Sequence, residues 1–216
     1  IALKGLGGYN LLCDAFNNTA VGALRQRKQR DSKPFAVMFR DIQAIAEYCF
    51  IDQDEEKELL SWRRPVVILR QRKEVSPAVS NGLNTTGVLL PYMPIHYLLF
   101  RRLDTAAIIF TSGNLSDEPV ITSDVIAENE LTRVADSVVS YNREILNRAD
   151  DSVVRFIGKR ISVIRRSRGF VPRPVDLRFD VEGIIAMGVE QKNSFCIGKG
   201  RQAILSQHIG DLKNRP

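Results

Sequence analysis

The 216-residue sequence has few of the residues that build metal sites, disulfide frameworks and histidine-centred active sites. Its three cysteines, Cys13, Cys49 and Cys196, are widely spaced and form no CxxC or CxxH pair. This spacing argues against a disulfide framework and a structural zinc site, and it favours a cytoplasmic protein with reduced thiols. The two histidines, His96 and His208, belong to no HExxH or nucleophile–base pattern, so histidine-centred hydrolysis has little support.

Long apolar segments and complete glycine-rich phosphate motifs are also missing. No apolar run approaches the roughly eighteen residues of a membrane span, so we expect no role for a membrane. The glycines at positions 5, 7 and 8 do not complete GxGxxG because Asn10 occupies the third position, and no GK[ST] follows. Neither a Rossmann nor a Walker interpretation therefore fits. Any chemistry must depend on Lys, Arg, hydroxyl and amide groups.

Charged and apolar residues are plentiful. The sequence is 44% hydrophobic and 26% charged, which is typical of a globular protein with a buried core. Lys and Arg number 31 against 25 Asp and Glu, for a formal net charge of +6. This excess suits an anionic partner, and phosphate is the first candidate.

Apolar runs of strand length alternate with helical patterns along most of the chain. The patterns predict strands at 35–39, 66–69, 88–90 and 106–110, and helices near 17–30, 41–49, 53–61, 95–102 and 123–131. Residues 75–86 are rich in Ser, Asn, Gly and Pro and predict a loop. Residues 153–157 and 161–165 flank Gly158 and Lys159, which suits a hairpin. The expected fold class is α/β with a mixed sheet.

A proline-containing segment, residues 171–174, is the best candidate linker. We therefore predict a first domain at 1–175 and the start of a partial second α/β domain at 176–216, which is too short to support its own core. The chain begins at Ile1 in a strand-like segment and ends soon after three further strand-like segments. We expect it to be a piece of a longer polypeptide.

A basic cluster marks the end of the first predicted helix. It comprises Arg25, Arg27, Lys28, Arg30 and Lys33, opposed by Asp31. Lys28 lies four residues after Leu24 and seven after Val21, on the core-facing side of the helix. It must either extend to solvent or point into a cleft. The simpler alternative for the whole cluster is a solvated helix face.

Polar residues also follow the apolar strand 106–110 directly. Ser112 and Asn114 are two residues apart, so an extended chain directs both side chains to the same side. Ligands of open α/β sheets gather at the carboxyl ends of strands. The pattern suggests a hydroxyl and an amide facing a ligand, with an ordinary polar turn as the alternative.

Acidic and basic groups flank the predicted hairpin. Asp150, Asp151 and Ser152 precede it, and Arg165, Arg166 and Arg168 follow it. Paired aspartates suggest a metal–phosphate partner, and clustered arginines suggest a clamp for a polyanion. A capped turn and a charged edge strand would also explain them.

As a set, these motifs resemble the YrdC-like domain of the HypF family of hydrogenase-maturation carbamoyltransferases. The resemblance follows family order through residues 4–9, 13–15, 24–30, 33–38, 87–92, 111–116, 148–153 and 165–169. Residues 190–196 and 205–212 are similar to the start of the family's carboxyl-terminal carbamoyl-transfer domain. The implied fold is a twisted open mixed sheet flanked by helices.

The resemblance also implies an activity. In this family carbamate, released from carbamoyl phosphate, is joined to ATP as carbamoyl adenylate with loss of pyrophosphate. The carbamoyl group then passes to a HypE-type acceptor protein during cyanide-ligand synthesis for nickel–iron hydrogenases. The implied cofactors are ATP and Mg²⁺, and the implied small-molecule partners are ATP and carbamoyl phosphate or carbamate.

Site residues are implied position by position. Lys28 and Arg30 match the family's Lys-x-Arg motif, and Ser112 and Asn114 match its Ser-x-Asn motif. Either Arg166 or Arg168, with Ser152, would close over the acyl-phosphate linkage. Arg143 is favoured over Tyr141, which replaces a histidine common in relatives. The candidate catalytic residues are Lys28, Arg30 and Arg166; the candidate nucleotide- and carbamoyl-binding residues are Lys4, Lys33, Thr111, Ser112, Asn114, Arg143, Ser152 and Arg168; none is assigned to a metal.

Two alternative functions remain open. The first is the function of stand-alone YrdC relatives, which make threonylcarbamoyl adenylate for tRNA modification. Three features argue against this function: the motifs at residues 4–8 and 165–169, and the attached start of a transfer domain. A basic RNA-binding module is the other alternative, since discrete basic clusters can neutralise several phosphates. No aromatic residues interleave with the basic residues at 25–33, which argues against that function.

Overall fold

The fold is described from a computed structural model covering residues 1–114 and 118–212. Leu115 and Ser116, part of the motif at 111–116, lie outside the described residues. The first half of the chain contains β1 (Ala2–Lys4), β2 (Tyr9–Asp14), α1 (Asn18–Arg27), β3 (Ala36–Phe39), α2 (Ile42–Tyr48), β4 (Cys49–Phe50), α3 (Gln53–Leu60), β5 (Val66–Gln71), α4 (Pro77–Ser80), β6 (Thr85–Leu89) and α5 (Pro94–Arg102). The second half contains β7 (Ala107–Ser112), α6 (Asp124–Glu130), β8 (Val138–Val139), β9 (Val153–Ile157), β10 (Arg160–Arg165), β11 (Val175–Asp176), β12 (Ile185–Met187), β13 (Phe195–Lys199) and β14 (Gln202–Leu205).

A large mixed sheet organises the first 165 residues. Its strand order is β10-β9-β5-β6-β3-β7-β2-β1-β8, and β4 pairs with β5 outside this path. The pairs β5–β9, β3–β6 and β1–β8 are parallel, and the other pairs are antiparallel. The predicted α/β class with a mixed sheet flanked by helices is confirmed.

Helices cover both faces of this sheet. On one face, Val21 and Leu24 of α1 pack with Ile45 of α2 in the larger core cluster. On the other face, Phe100 of α5 packs with Phe110 of β7. Side chains alternate between the faces along a strand, which is why Ile109 joins the first cluster and Phe110 the second.

Helix α1 determines where its basic residues lie. The Asn17 side chain accepts a hydrogen bond from the amide of Ala20 and caps the first turn. The helix ends at Arg27, earlier than the predicted residue 30, because Gln29 adopts a left-handed conformation with φ of 49°. Lys28 is therefore the last residue that still follows the helical path.

The segment at 75–86 differs from the predicted loop. It contains the single-turn helix α4, which has a proline in its first turn and ends at Asn81 in a left-handed conformation. Strand β6 then begins at Thr85, before the predicted position 88. Thr85 pairs with Arg70 of β5, and Gly87 pairs with Ala36 of β3, so the strand extends further toward its amino end than its apolar residues indicate. The sequence predicts neither α4 nor the start of β6, because residues 75–86 are rich in the polar, Gly and Pro residues that are typical of loops.

Residues 175–205 form a second sheet with the order β11-β14-β13-β12, all pairs antiparallel. No helix occurs in residues 175–212. Across the part of the chain that the structure describes, no helix is long and apolar enough to cross a membrane. Cys13, Cys49 and Cys196 are all free thiols.

Candidate nucleotide-binding site

Lys28 points into the protein at the end of α1. Its side chain is only 3% exposed. The ammonium donates to the backbone carbonyls of Ser112 at 2.7 Å and Asn114 at 2.8 Å, and to Asn114 Oδ1 at 2.9 Å. Of the two orientations that the sequence leaves open, the structure therefore has the inward one. It brings the Lys-x-Arg and Ser-x-Asn motifs into direct contact.

The Ser112–Asn114 turn is held closely against β2. Ser112 Oγ lies 2.7 Å from Asn114 Oδ1, and the side-chain nitrogen Nδ2 of Asn114 donates to the backbone carbonyl of Glu118. The Gly113 amide donates to the carbonyl of Tyr9 at 2.6 Å, and a Cβ at Gly113 would collide with the Tyr9 backbone. Glycine is thus required for the close approach that fixes Ser112 and Asn114.

The electrostatics of Lys28 favour an anionic ligand. Burial, with a smaller contribution from the nearby charge of Arg30, lowers its pKa from 10.5 to about 7. Within the described residues, the ammonium donates to neutral carbonyl and amide oxygens, and no carboxylate pairs with it. A buried cation without a countercharge is costly, and a phosphate would supply that charge.

Arg30 and Lys33 extend the basic character of this end of the sheet. The Arg30 guanidinium donates to the carbonyls of Lys33 at 3.0 Å and Pro34 at 2.8 Å, and it stacks on Phe35 at 5.1 Å from the ring centroid. Lys33 itself is exposed. The candidate residue Thr111 is buried, and alternation along β7 turns its side chain to the face opposite that of Ser112.

Ser152 and Arg168 form a second cluster. Ser152 is fully buried, accepts from the amide of Ser167 at 2.8 Å and donates to the carbonyl of Arg168 at 2.9 Å. The Arg168 guanidinium binds Asp151 Oδ1 through two nitrogens, at 2.7 and 3.0 Å, and lies 3.7 Å from the ring centroid of Tyr92. Asp151 therefore pairs with an arginine.

Arg166 lies apart from this cluster. One of its terminal nitrogens donates to the carbonyls of Phe170 at 3.1 Å and Arg173 at 2.7 Å. The sequence leaves Arg166 and Arg168 as alternative partners of Ser152, and the structure places Arg168 against it. Arg166 instead lines a cavity beside the linker at 171–174.

Aromatic residues connect the two clusters on one side of the sheet. Phe110 and Ser112 share a face of β7, Tyr92 packs edge-on against Phe110 at 6.1 Å, and Arg168 stacks on Tyr92. A cavity of about 370 Å³ opens beside Tyr92 and Arg168, and its wall includes Leu6, Trp62, Arg64 and Tyr97. The backbone of Gly7 also contacts Ala149, since the Ala149 amide donates to its carbonyl at 3.0 Å. This contact brings the β1–β2 turn close to the segment that leads to Ser152.

The remaining candidates differ in their surroundings. The Lys4 ammonium is buried and bound by Asp124 at 2.7 Å and by the carbonyl of Tyr141 at 3.0 Å. Arg143 is exposed on the chain that follows β8. Lys4 thus already has a carboxylate partner, whereas Arg143 is accessible to a ligand.

Sequence reasoning missed the packing role of Tyr92 and His96. His96 is fully buried against Tyr92 and Phe110, and burial lowers its pKa to about 4, which keeps it neutral. Its Nδ1 accepts from the amide of Tyr92 at 3.4 Å. The available signal was Pro94, which starts α5 two residues before His96.

Among residues 1–114 and 118–212, no three His, Cys, Asp or Glu side chains are grouped so as to hold a metal ion. The donors that meet at Lys28 are a hydroxyl, an amide and carbonyl oxygens. These residues do not form a protein-held Mg²⁺ site.

Comparison with protein families gives two matches. The Sua5/YciO/YrdC family, described as telomere recombination, matches residues 1–167. The HypF Kae1-like domain matches residues 180–216.

Curated relatives and solved structures agree with these matches. Carbamoyltransferase HypF of Rhizobium leguminosarum bv. viciae is 46% identical over 221 residues, covering 99% of this chain and 29% of the relative. The probable carbamoyltransferase HypF of Methanocaldococcus jannaschii is 38% identical, covering 98% of this chain and 28% of the relative. A crystal structure of full-length HypF in the phosphate- and nucleotide-bound form has 44% identity and a TM-score of 0.93, covering 99% of this chain and 34% of that one.

A more distant likeness concerns the fold alone. Sua5 of P. abyssi, crystallised with L-threonine, has 19% identity and a TM-score of 0.67, covering 77% of this chain and 49% of that one. The chain spans about 29% of the length of the curated relatives named above. On these matches, the chain belongs to the Sua5/YciO/YrdC family and corresponds to the YrdC-like domain, with the start of the Kae1-like domain, of the HypF carbamoyltransferases.

Proposed function

We propose that the chain forms carbamoyl adenylate from ATP and carbamate and releases pyrophosphate. The contact between Lys28 and the Ser112–Asn114 turn carries this proposal, because it places a buried cation, which no carboxylate of residues 1–114 or 118–212 pairs with, beside a hydroxyl and an amide. The likeness to HypF carbamoyltransferases supports the carbamoyl substrate. The nucleotide in one HypF crystal structure supports the use of ATP.

The proposed reaction is an in-line displacement at the α-phosphorus. A carbamate oxygen forms a new bond to phosphorus while the bond to the β-phosphate bridging oxygen breaks, and the electron pair leaves with pyrophosphate. Carbamate is already an anion, so the step needs no general base. This agrees with His96 being buried and neutral.

Neutralising the charge on the phosphates is the main requirement. In our proposal Lys28 and Arg30 hold the phosphates, and Ser112 and Asn114 orient the α-phosphate. Arg168 is the arginine that acts with Ser152, since the two residues share a hydrogen bond. We assign Arg166 no contact with the reacting groups.

Mg²⁺ would arrive with ATP. It usually keeps several waters and binds substrate phosphates, where it offsets their negative charge. This route suits a site whose described residues hold no cluster of metal ligands. No step above depends on a metal held by the protein.

The wider context is also a proposal. In a complete HypF-type protein, carbamate would come from carbamoyl phosphate, and the carbamoyl group would pass through the Kae1-like domain to a HypE-type acceptor for hydrogenase maturation. We keep the proposed domain division at residue 175, where β11 begins the second sheet. The free thiols fit the proposed cytoplasmic location.

Threonylcarbamoyl-adenylate synthesis is the second candidate, favoured by the fold shared with Sua5. RNA binding has less support, because most cations of the α1 cluster are already engaged. Arg25 donates to the carbonyl of Ala78, Arg27 pairs with Asp136 at 2.8 Å, and Lys28 is buried. They do not form a continuous basic face for a polymer.

Pyrophosphate release from ATP separates these functions. We expect release to depend on carbamate, supplied directly or from carbamoyl phosphate. Dependence on threonine plus bicarbonate, with no response to carbamate, would favour the second candidate. Tight RNA binding that is unchanged in Lys28→Ala, without ATP binding, would exclude both adenylation reactions.

A further inference from the structure

A second cavity, about 610 Å³ in volume, lies between the end of α3, the β9–β10 hairpin and the linker before β11. We refer to it as the linker cavity. Ser61, Arg63, Arg166 and Arg173 contribute to its wall. Gly169 lines both this cavity and the one beside Tyr92, so residues 166–170 separate the two. Lys28, Ser112 and Asn114 do not contribute to it.

Two buried polar atoms of the linker cavity lack partners. Ser61 Oγ and Arg166 Nε are both shielded from solvent and have no hydrogen bond within the described part of the chain. A buried polar group left without a partner costs about 1–3 kcal/mol, so native proteins nearly always supply one. The guanidinium can only donate, and therefore the partner that Arg166 lacks is an acceptor.

The charges around the cavity favour an anionic acceptor. Its wall carries five cationic and three acidic side chains: Lys57, Arg63, Lys159, Arg166, Arg173, Asp54, Glu58 and Asp176. Glu58 is already paired with Arg63 through two hydrogen bonds, at 2.6 and 2.9 Å. The four other cations therefore face two acidic groups, one of which, Asp176, also accepts from Gln202.

The geometry of Arg166 is fixed before any ligand binds. One terminal nitrogen is held by the carbonyls of Phe170 and Arg173, and the guanidinium stacks on the Phe170 ring at 5.9 Å. Arg63 stacks on the same ring at 5.0 Å. Burial, and secondly the neighbouring positive charge of Arg173, lower the pKa of Arg166. A bound anion would relieve this repulsion and accept from Nε.

We propose that the linker cavity binds an oxyanion of the phosphate class, at a site separate from the Lys28 cluster. The Ser61 hydroxyl and Arg166 Nε donate to its oxygens, and Arg173 adds positive charge from the exposed side. A tetrahedral anion with several oxygens can accept from donors that arrive from different directions. The site does not depend on the proposed adenylation reaction.

The bound anion would also stabilise the segment that holds Ser152. Ser167, between Arg166 and Arg168, donates its amide to Ser152, and Arg168 accepts from Ser152 through its carbonyl. Anchoring Arg166 therefore restricts both neighbours. Binding should raise the unfolding temperature, and the rise should continue with the logarithm of ligand concentration above the dissociation constant.

Isothermal titration calorimetry with inorganic phosphate, pyrophosphate and AMP, each in a separate titration, tests the proposal. We expect at least one of them to bind equally to the unaltered chain and to Lys28→Ala. Its affinity should fall about fivefold or more in Ser61→Ala and in Arg173→Gln, corresponding to about 1 kcal/mol or more. Comparison of the three affinities tells whether the phosphate is free or part of a nucleotide.

Arg178→Gln is the matched control. It removes the same charge from an exposed residue of the second domain that does not line the cavity, and it should leave binding unchanged. Arg173 is also exposed, so its replacement should preserve the fold, which thermal unfolding can verify. The proposal is wrong if none of the three ligands binds at millimolar concentration. It is equally wrong if binding disappears in Lys28→Ala but persists in Ser61→Ala and Arg173→Gln.

Discussion

Replacing Lys28 with alanine tests the proposed nucleotide site most severely. The change removes a 97%-buried cation whose three hydrogen bonds, at 2.7, 2.8 and 2.9 Å, hold the Ser112–Asn114 turn. Losing one partner of a buried charge pair costs about 3–5 kcal/mol. Because about 1.4 kcal/mol corresponds to a factor of ten, we expect carbamate-dependent adenylation to fall by about 10²- to 10³-fold or more.

The free energy of unfolding should change much less. The variant loses three hydrogen bonds but also escapes the cost of burying an ammonium, and Asn114 Oδ1 keeps its contact with Ser112 Oγ. Lys28→Met separates charge from volume and should lose activity to a similar extent. Lys199→Met, at an exposed lysine of β13, serves as control. Folded Lys28→Ala protein with unaltered ATP affinity and turnover would refute the assignment.

Three further predictions concern protonation and the second cluster. Burial holds the pKa of Lys28 at about 7, below its ordinary 10.5, so ATP affinity should decrease as pH rises above about 7, and calorimetry in different buffers should detect proton uptake on binding. The unfolded chain binds more protons between these two values, so the contribution of this group to stability should increase with pH across that window. Arg168→Gln leaves the Asp151 carboxylate without its partner and should lower the free energy of unfolding by about 3 kcal/mol in urea titrations. Ser152→Ala leaves the amide of Ser167 unpaired inside the protein and should cost about 1–3 kcal/mol by the same measurement.

Hydrophobic periodicity was sufficient to predict much of the main sheet. Uninterrupted apolar runs at 35–39, 66–69 and 106–110 become β3, β5 and β7, which lie near the centre of the sheet. The sequence predicts the strand at 85–89 only from residue 88, because polar residues at its start weaken the apolar pattern. It does not predict the strand at 138–139, which is too short to show a pattern. Their pairing depends on long-range neighbours, Arg70 of β5 for the start of β6 and Leu3 of β1 for β8, which local sequence does not show.

Within the site, the spacing of residues along the sequence predicted the direction of a side chain better than it predicted the residues that the side chain contacts. The positions of Val21, Leu24 and Lys28 on one helix face were enough to place the ammonium on the core side. The choice between Arg166 and Arg168 could not be made from sequence. It depends on which guanidinium reaches Asp151, and that follows from how the chain turns after β10.

The nucleotide product of the carbamate-dependent reaction tests the central claim most directly. With ATP and ¹³C-labelled carbamate, we predict that mass spectrometry will detect pyrophosphate and an AMP conjugate that carries the label. Formation of ADP in place of AMP would place the attack at the γ-phosphorus, and it would contradict the proposed adenylation.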